Sequence, residues 1–422
     1  MLAVERLATM AMHPPGPRDH NPTRPGCRKD GALVSTERRP AREIVLVGNF
    51  DPRKQPPKPG FTTFMLDNAS GKLDRIAEHA QGISVGYTAV DHRRGLVYCT
   101  DEADTLPGSY SGGGGQVLGY QVSDDGLELT EVTRSPSFGC LPSGIALNSD
   151  ATRAVTTHHT NRTPSTHVKQ TADGYVLDTV WDDPTTVLFP LDGLGRVGPP
   201  LDVFTHRDRP GPLDKQTHPQ LHSVTASPSG SFFVVCDKGS DLVETFRVRD
   251  DRLEQVARHP SAPGSSPRYS AFHPTLPYFW VNHERRLIVE AFRYDESGGI
   301  VSAGVFDTAP DGVSELPGSV QADLRVHPNG KSVYTLLRLV DALTVFTVDD
   351  STGALRIIQE IHLPDRGPRA CAISPDGRHL LLATTDPGAV TVWKISDDGR
   401  LADTGTRVEV AAAGSVTFAP RR

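Results

Sequence analysis

A twelve-residue frame, a short turn signal followed by an apolar strand, recurs along most of the chain and limits the folds it can adopt more than any other feature. Clear copies are SPSGSFFVVCDK (227–238), HPTLPYFWVNHE (273–284), HPNGKSVYTLLR (327–338) and SPDGRHLLLATT (374–385). DHRRGLVYCTDE (91–102) and NSDATRAVTTHH (148–159) fit the same frame without a gap. Each copy follows a short strand such as PRYSAF (267–272) or PRACAI (368–373) and precedes an alternating strand such as AVTVWKI (389–395) and a hairpin turn. One unit therefore reads as four antiparallel strands. Four-stranded units of about 45 residues mean a β-propeller.

A seventh unit comes from both ends of the chain. EIVLVGNF (43–50), TTFMLD (62–67) and KLDRIAEH (72–79) supply three strands, and GSVTFAP (414–420) the missing inner one. Pairing the termini removes two exposed sheet edges, which favours closure. The expected fold is all-β: a seven-bladed β-propeller over residues 43–422, after a disordered N-terminal extension over residues 1–42. That extension holds six prolines and a net charge of +4, leaving −11 on the body of a chain whose total is −7.

An acidic body argues against nucleic acid, whose affinity rests on Lys and Arg. The sequence has no apolar run of the roughly 18 residues that cross a bilayer, and Glu5 and Arg6 interrupt the N-terminal segment, so no membrane and a cytoplasmic address are expected. Five cysteines at wide spacing read as buried free thiols rather than a disulfide framework or zinc ribbon. His158, His159, His206, His218 and His222 lack metal-ligand spacings, and Gly112–Gly115 lack the features of a phosphate loop, so neither a metal nor a cofactor is expected.

In a propeller blade the start of the first strand and the end of the second meet at one mouth of the channel. The strand-two ends present Glu102, His159, Lys238, Glu284, Arg338 and Thr385; the strand-one starts present Gly86, Ser143, His222, Arg268, Ala322 and Arg369. In a repeat otherwise built of Val, Leu, Ala and Phe, this ring is the concave polar site expected of ligand binding or catalysis. Asp323 and Arg325, two apart on an inner strand, read instead as a structural ion pair. The long segment 158–186 carries Tyr175, Val176, Leu177, Val180 and Trp181, an apolar cluster expected to cover a substrate or pack on the flank.

LHSVTASPSG (221–230) with CDKGSDLV (236–243), PRYSAFHP (267–274) with VNHE (281–284), ADLRVHPNG (322–330) with Arg338, and GPRACAISPDG (367–377) resemble the lactonase family of seven-bladed propellers. This family includes 6-phosphogluconolactonases and 3-carboxy-cis,cis-muconate lactonising enzymes. The resemblance spans residues 43–420 and implies that His222, Arg268, Glu284 and Arg338 are catalytic. Arg369, Glu102, His159 and Lys238 are the expected substrate-binding residues. The chain departs from the family pattern at Gly144, at the His158–His159 pair and at Thr384–Thr385. The reaction expected is hydrolysis of an anionic or polyhydroxylated lactone. The alternatives are an intramolecular cyclase or cycloisomerase of an unsaturated acid, and a non-enzymatic propeller that binds a ligand or protein.

Overall fold

The computed structural model describes residues 42–51, 60–308 and 320–420. Their strands form seven four-stranded antiparallel sheets and one separate two-stranded hairpin. The innermost strands are Val85–Asp91, Pro142–Leu147, Leu221–Ala226, Pro267–Phe272, Val320–Val326, Arg366–Ile373 and Ala413–Phe418. They belong to blades 1 to 7 in that order, and each blade pairs outward from its inner strand. Blade 7 is the composite one: Ala413–Phe418 pairs with Arg42–Asn49, which pairs with Phe61–Asp67 and then Leu73–His79. The extension expected over residues 1–42 lies outside the described residues, except for Arg42, which opens this blade's second strand.

The core is divided among the blade interfaces. Val45, Val47, Phe64 and Leu66 of blade 7 pack on Leu381, Ala383, Val390 and Val392 of blade 6; equivalent clusters fill the other six junctions. This follows from the alternation of each strand, which puts apolar side chains on both faces of a blade, against both neighbours. Side chains of one blade also clasp a hairpin carbonyl of the next. Tyr98 Oη donates to Gly195 O at 2.6 Å, Trp280 Nε1 to Gly353 O at 2.9 Å and Tyr334 Oη to Gly399 O at 2.9 Å.

Asp323 and Arg325 form the expected ion pair at 3.0 Å, and Arg325 also donates to Cys371 O and Tyr87 Oη, bracing blade 5 against blades 6 and 1. Cys99, Cys140, Cys236 and Cys371 are free and buried; Cys27 lies outside the described residues. Among the described residues no helix is long and apolar enough to cross a membrane.

The flank packing expected of the apolar cluster over 158–186 is corrected. Ser165–Thr171 and Gly174–Val180 form a hairpin inserted between two strands of blade 2, and every one of its strand residues is exposed. Val168, Tyr175 and Leu177 share one face under the strand alternation and stand in solvent, with exposures of 71%, 74% and 77%. Only Trp181, at the root, is held, stacked on His218 at 4.1 Å.

Candidate functional site

The mouth residues are displayed by breaks in the sheet. Six inner strands lose register at the same place: Val85/Thr88, Pro142/Gly144, Leu221/Ser223, Pro267/Tyr269, Gln321/Leu324 and Pro368/Ala370. His222, Arg268 and Arg369 lie within these bulges, which swing a side chain out of the strand's alternation. The backbone enters three of them from the left-handed region, with φ of 51° at Leu141, 58° at Ser266 and 67° at Gly367, each just before a proline. A residue preceding proline normally prefers extended backbone, so Leu141 and Ser266 are strained, as residues at functional sites often are.

At the centre Arg268, 2% exposed, donates from Nε to Glu284 Oε2 at 3.0 Å and from Nη1 to Ala322 O at 2.7 Å. Lys238 Nζ lies 3.4 Å from the same carboxylate oxygen, and Arg285 Nη2 lies 3.7 Å from the other. The Arg268 guanidinium covers the Tyr269 ring at 4.7 Å, and His222 meets that ring edge-on at 4.9 Å. His159 meets His222 edge-on at 6.1 Å. Arg369 packs over Phe50 of blade 7 at 3.6 Å. His222 Nδ1 and Arg338 Nε are buried with no hydrogen-bond partner.

The electrostatics tie all eight predicted residues into one cluster. Burial pushes the Glu102 carboxyl up, against the pull of Arg369, Arg162, Lys238 and Arg268. Burial also raises Glu284, but Lys238, Arg268 and Arg338 outweigh it and hold that carboxylate well below the usual range. Burial, then Arg268 and Lys238, push the His222 imidazole well below its ordinary value; burial and Lys238 do the same to His159. Both are neutral at pH 7. Burial and the neighbouring Arg268 bring Arg338 down to about 9, and burial lowers Lys238 and Arg369. Four buried or half-buried cations thus face two carboxylates, an arrangement suited to an anion or a developing oxyanion.

His159, Lys238 and Glu284 line a cavity of about 220 Å³ together with Lys215, Gln216, Ser266 and Arg285. Arg268 touches this lining through Glu284 and His222 through His159, while Arg338, Arg369 and Glu102 are not part of it. Thr385, also on the predicted rim, donates back to Gly367 O and serves its own blade. The sequence reading missed Tyr269, Phe50, Arg162, Arg285 and Gln216. Tyr269 and Arg285 directly follow predicted residues, a signal available in the frame. Phe50 and Arg162 arrive from loops that the frame does not cover, Arg162 lying 3.8 Å from Glu102.

One acidic cluster was also invisible to spacing. His206, Asp208 and Glu244 bring ligand atoms within 4.8 Å of one another, a set suited to a cation. Arg258 pairs with both carboxylates there, Gln255 Nε2 donates to Glu244 Oε1 at 2.6 Å and His206 Nδ1 faces Glu244 Oε2 at 2.9 Å, so the three residues are engaged with one another and with Arg258 and Gln255.

Comparison with known proteins agrees with this fold. Residues 45–418 match the family model described as lactonase, 7-bladed beta-propeller. The chain is 24% identical over 361 residues to the 6-phosphogluconolactonase of Bacillus subtilis, covering 85% of this chain and 94% of that one. It is 21% identical over 360 residues to the 6-phosphogluconolactonase of Formosa agariphila, covering 83% and 92%. Among solved structures, the periplasmic gluconolactonase PpgL of Pseudomonas aeruginosa superposes with a TM-score of 0.76 at 20% identity, over 90% of this chain and 99% of that one.

Proposed function

The chain belongs to the lactonase family of seven-bladed β-propellers, and on that premise we propose that it hydrolyses a lactone that is anionic or polyhydroxylated. The observation that carries this reading is the excess of buried and half-buried cations, Lys238, Arg268, Arg338 and Arg369, around a neutral His222. Relatives named 6-phosphogluconolactonase support it.

In this reading water adds to the lactone carbonyl carbon and His222 Nδ1, which has no other partner, takes its proton. Arg338, whose Nε is likewise free, and Arg268 stabilise the oxyanion. The ring C–O bond then breaks, and the proton returns to the departing ring oxygen. Glu284 acts as a positioning residue: its oxygens face Arg268, Lys238 and Arg285.

A second reading, closure of a lactone from an unsaturated acid, is favoured by Glu102. Its raised pKa suits the proton donor at carbon that this reaction needs. The test is turnover of a lactone panel that includes 6-phosphogluconolactone and δ-gluconolactone, with the products analysed after reaction in ¹⁸O-water. One labelled oxygen in the acid, formed well above the spontaneous rate, supports hydrolysis; unlabelled lactone formed from unsaturated acids, with no lactone opened, supports closure. Silence with every substrate leaves a binding propeller.

A cytoplasmic, metal-independent role in carbohydrate metabolism belongs to the same reading. The four free buried cysteines suit a reducing compartment. Cell fractionation and a rate insensitive to chelators test these points.

A further inference from the structure

The cavity at Glu284 continues outward. Its walls Leu213, Lys215 and Arg285 also line a second, open cavity of about 420 Å³, completed by Asp214, Pro263, Gly264 and Arg286. The loop before blade 3 forms one bank; the turn at Pro263–Gly264 and the residues after Glu284 form the other. The two banks are fixed. Gln216, buried under the first bank, donates from Nε2 to Lys238 O at 2.9 Å and to Asp241 Oδ1 at 2.8 Å, and Asp241 Oδ2 accepts from Gly264 N at 2.7 Å. Arg286 is aimed by its Nη2 bond to Pro263 O at 3.1 Å.

Size and chemistry both bear on what enters. Small-molecule sites usually measure about 300–1,000 Å³. The inner cavity, at about 220 Å³, falls short of that range, and the outer one is nearly twice as large. The floor of the outer cavity is apolar at Leu213 and Pro263, while its charged lining is Lys215, Arg285 and Arg286 against one carboxylate, Asp214. Such a groove fits an apolar substituent that ends in an anion.

Resting on the lactonase reading, we infer that this groove is a second subsite, at which Lys215 and Arg286 hold an anionic group carried on a substituent beyond the lactone ring. The preferred substrates are therefore lactones larger than a single ring, with an apolar arm and a terminal carboxylate or phosphate. Arg285 stands at the junction, where its guanidinium also faces Glu284 at 3.7 Å.

The test uses the full chain and three probes: δ-gluconolactone, a lactone with a short saturated chain ending in carboxylate, and the methyl ester of that chain. Wild-type protein prefers the carboxylate over its methyl ester by about tenfold in kcat/KM, equivalent to about 1.4 kcal/mol. The exposed substitution Arg286→Ala, outside the inner cavity, reduces that preference at least about threefold through KM, leaving kcat and the rate on δ-gluconolactone unchanged. High salt reduces the wild-type preference, as it must for exposed charges. A wild type that opens δ-gluconolactone but shows no preference for the charged arm overturns the subsite alone. So does a preference that survives Arg286→Ala undiminished. Failure to open any of the three lactones, with folding confirmed, overturns the lactonase reading itself.

Discussion

The inner strands have two ends, built from one repeat and treated in opposite ways. At the turn end, most polar groups are satisfied locally, His379 Nδ1 being an exception. Asp91 accepts from the backbone N of Arg93 and Arg94 and pairs with Arg94 Nη1 at 2.7 Å, and Arg94 reaches on to Ala151 O in the next blade. Ser374 Oγ donates to Asp376 at 2.6 Å while accepting from the His379 N–H, and His327 bonds Asn329 N and Gly377 O. At the mouth end the register breaks, backbone is strained, and buried charges from blades 1 to 6 sit in each other's fields with His222 Nδ1 and Arg338 Nε unpaired. Groups left unpaired in a protein interior cost stability. The difference teaches that the turn end holds the ring together, whereas on the proposed reading the mouth end gives up stability for chemistry.

The sharpest way to break that contrast is His222→Ala. Loss of a general base typically costs 10²–10⁴-fold in rate. We expect a fall of that size in kcat on any lactone the wild type opens, with the melting temperature held or raised. A parallel collapse in both would make His222 a structural residue.

Acid should expose the next largest effect. Burial pushes His158 and His283 down to about 4. Unfolded, both titrate near 6.5, so between those values the unfolded chain takes up protons that the folded one refuses. Stability is therefore highest above about pH 6.5 and falls as pH drops towards 4. For His158, a shift from 6.5 to about 4 is worth roughly 3 kcal/mol. Urea titrations at pH 7.5 and 5 on wild type and His158→Gln check this, the variant showing the smaller loss. The rate profile should run the other way round: His222 stays neutral well below 6.5, so kcat/KM holds as pH falls from 7 to 6 while the protein remains folded.

At the turn end, Asp91→Ala should cost about 1 kcal/mol, because the part-buried N–H groups of Arg93 and Arg94 lose their acceptor and Arg94 loses its ion-pair partner. Denaturant titration measures it. The smallest effect is expected from replacing residues 165–180 by a short turn. Every residue removed is exposed, and loop shortening of this kind should change stability by less than about 1 kcal/mol. A fall in kcat/KM beyond threefold would bring the hairpin into the site.

Much of this was legible because a propeller repeats. The twelve-residue frame places strand ends, so Glu102, His159, Lys238, Glu284 and Arg338 could be put on one rim from spacing alone, and closure by Ala413–Phe418 against Arg42–Asn49 followed from an unpaired edge. The bulges that aim His222, Arg268 and Arg369 were not legible. A bulge inserts a residue without changing the apolar pattern on either side of it. Contacts between distant blades were also hidden: Phe50 under Arg369 and Arg258 between Asp208 and Glu244 join segments that no local period relates. The hairpin at 165–180 misled for another reason. Its Tyr175, Val176 and Leu177 read as an apolar cluster that covers a substrate or packs on the flank, but the insertion extends from a blade that is already complete and these side chains are exposed.

The contrast between the two ends is tested most directly by measuring kcat/KM and melting temperature together for Arg338→Met and Asp91→Ala on one lactone substrate. Arg338 is half-buried, with a buried, unpartnered Nε in the fields of Arg268 and Arg369, so its removal relieves repulsion while taking away the proposed oxyanion donor. The account predicts that Arg338→Met loses at least about 10²-fold in kcat/KM with an unchanged or higher melting temperature, and that Asp91→Ala melts earlier while keeping its rate within threefold. Rate and melting temperature falling together in both variants would contradict it.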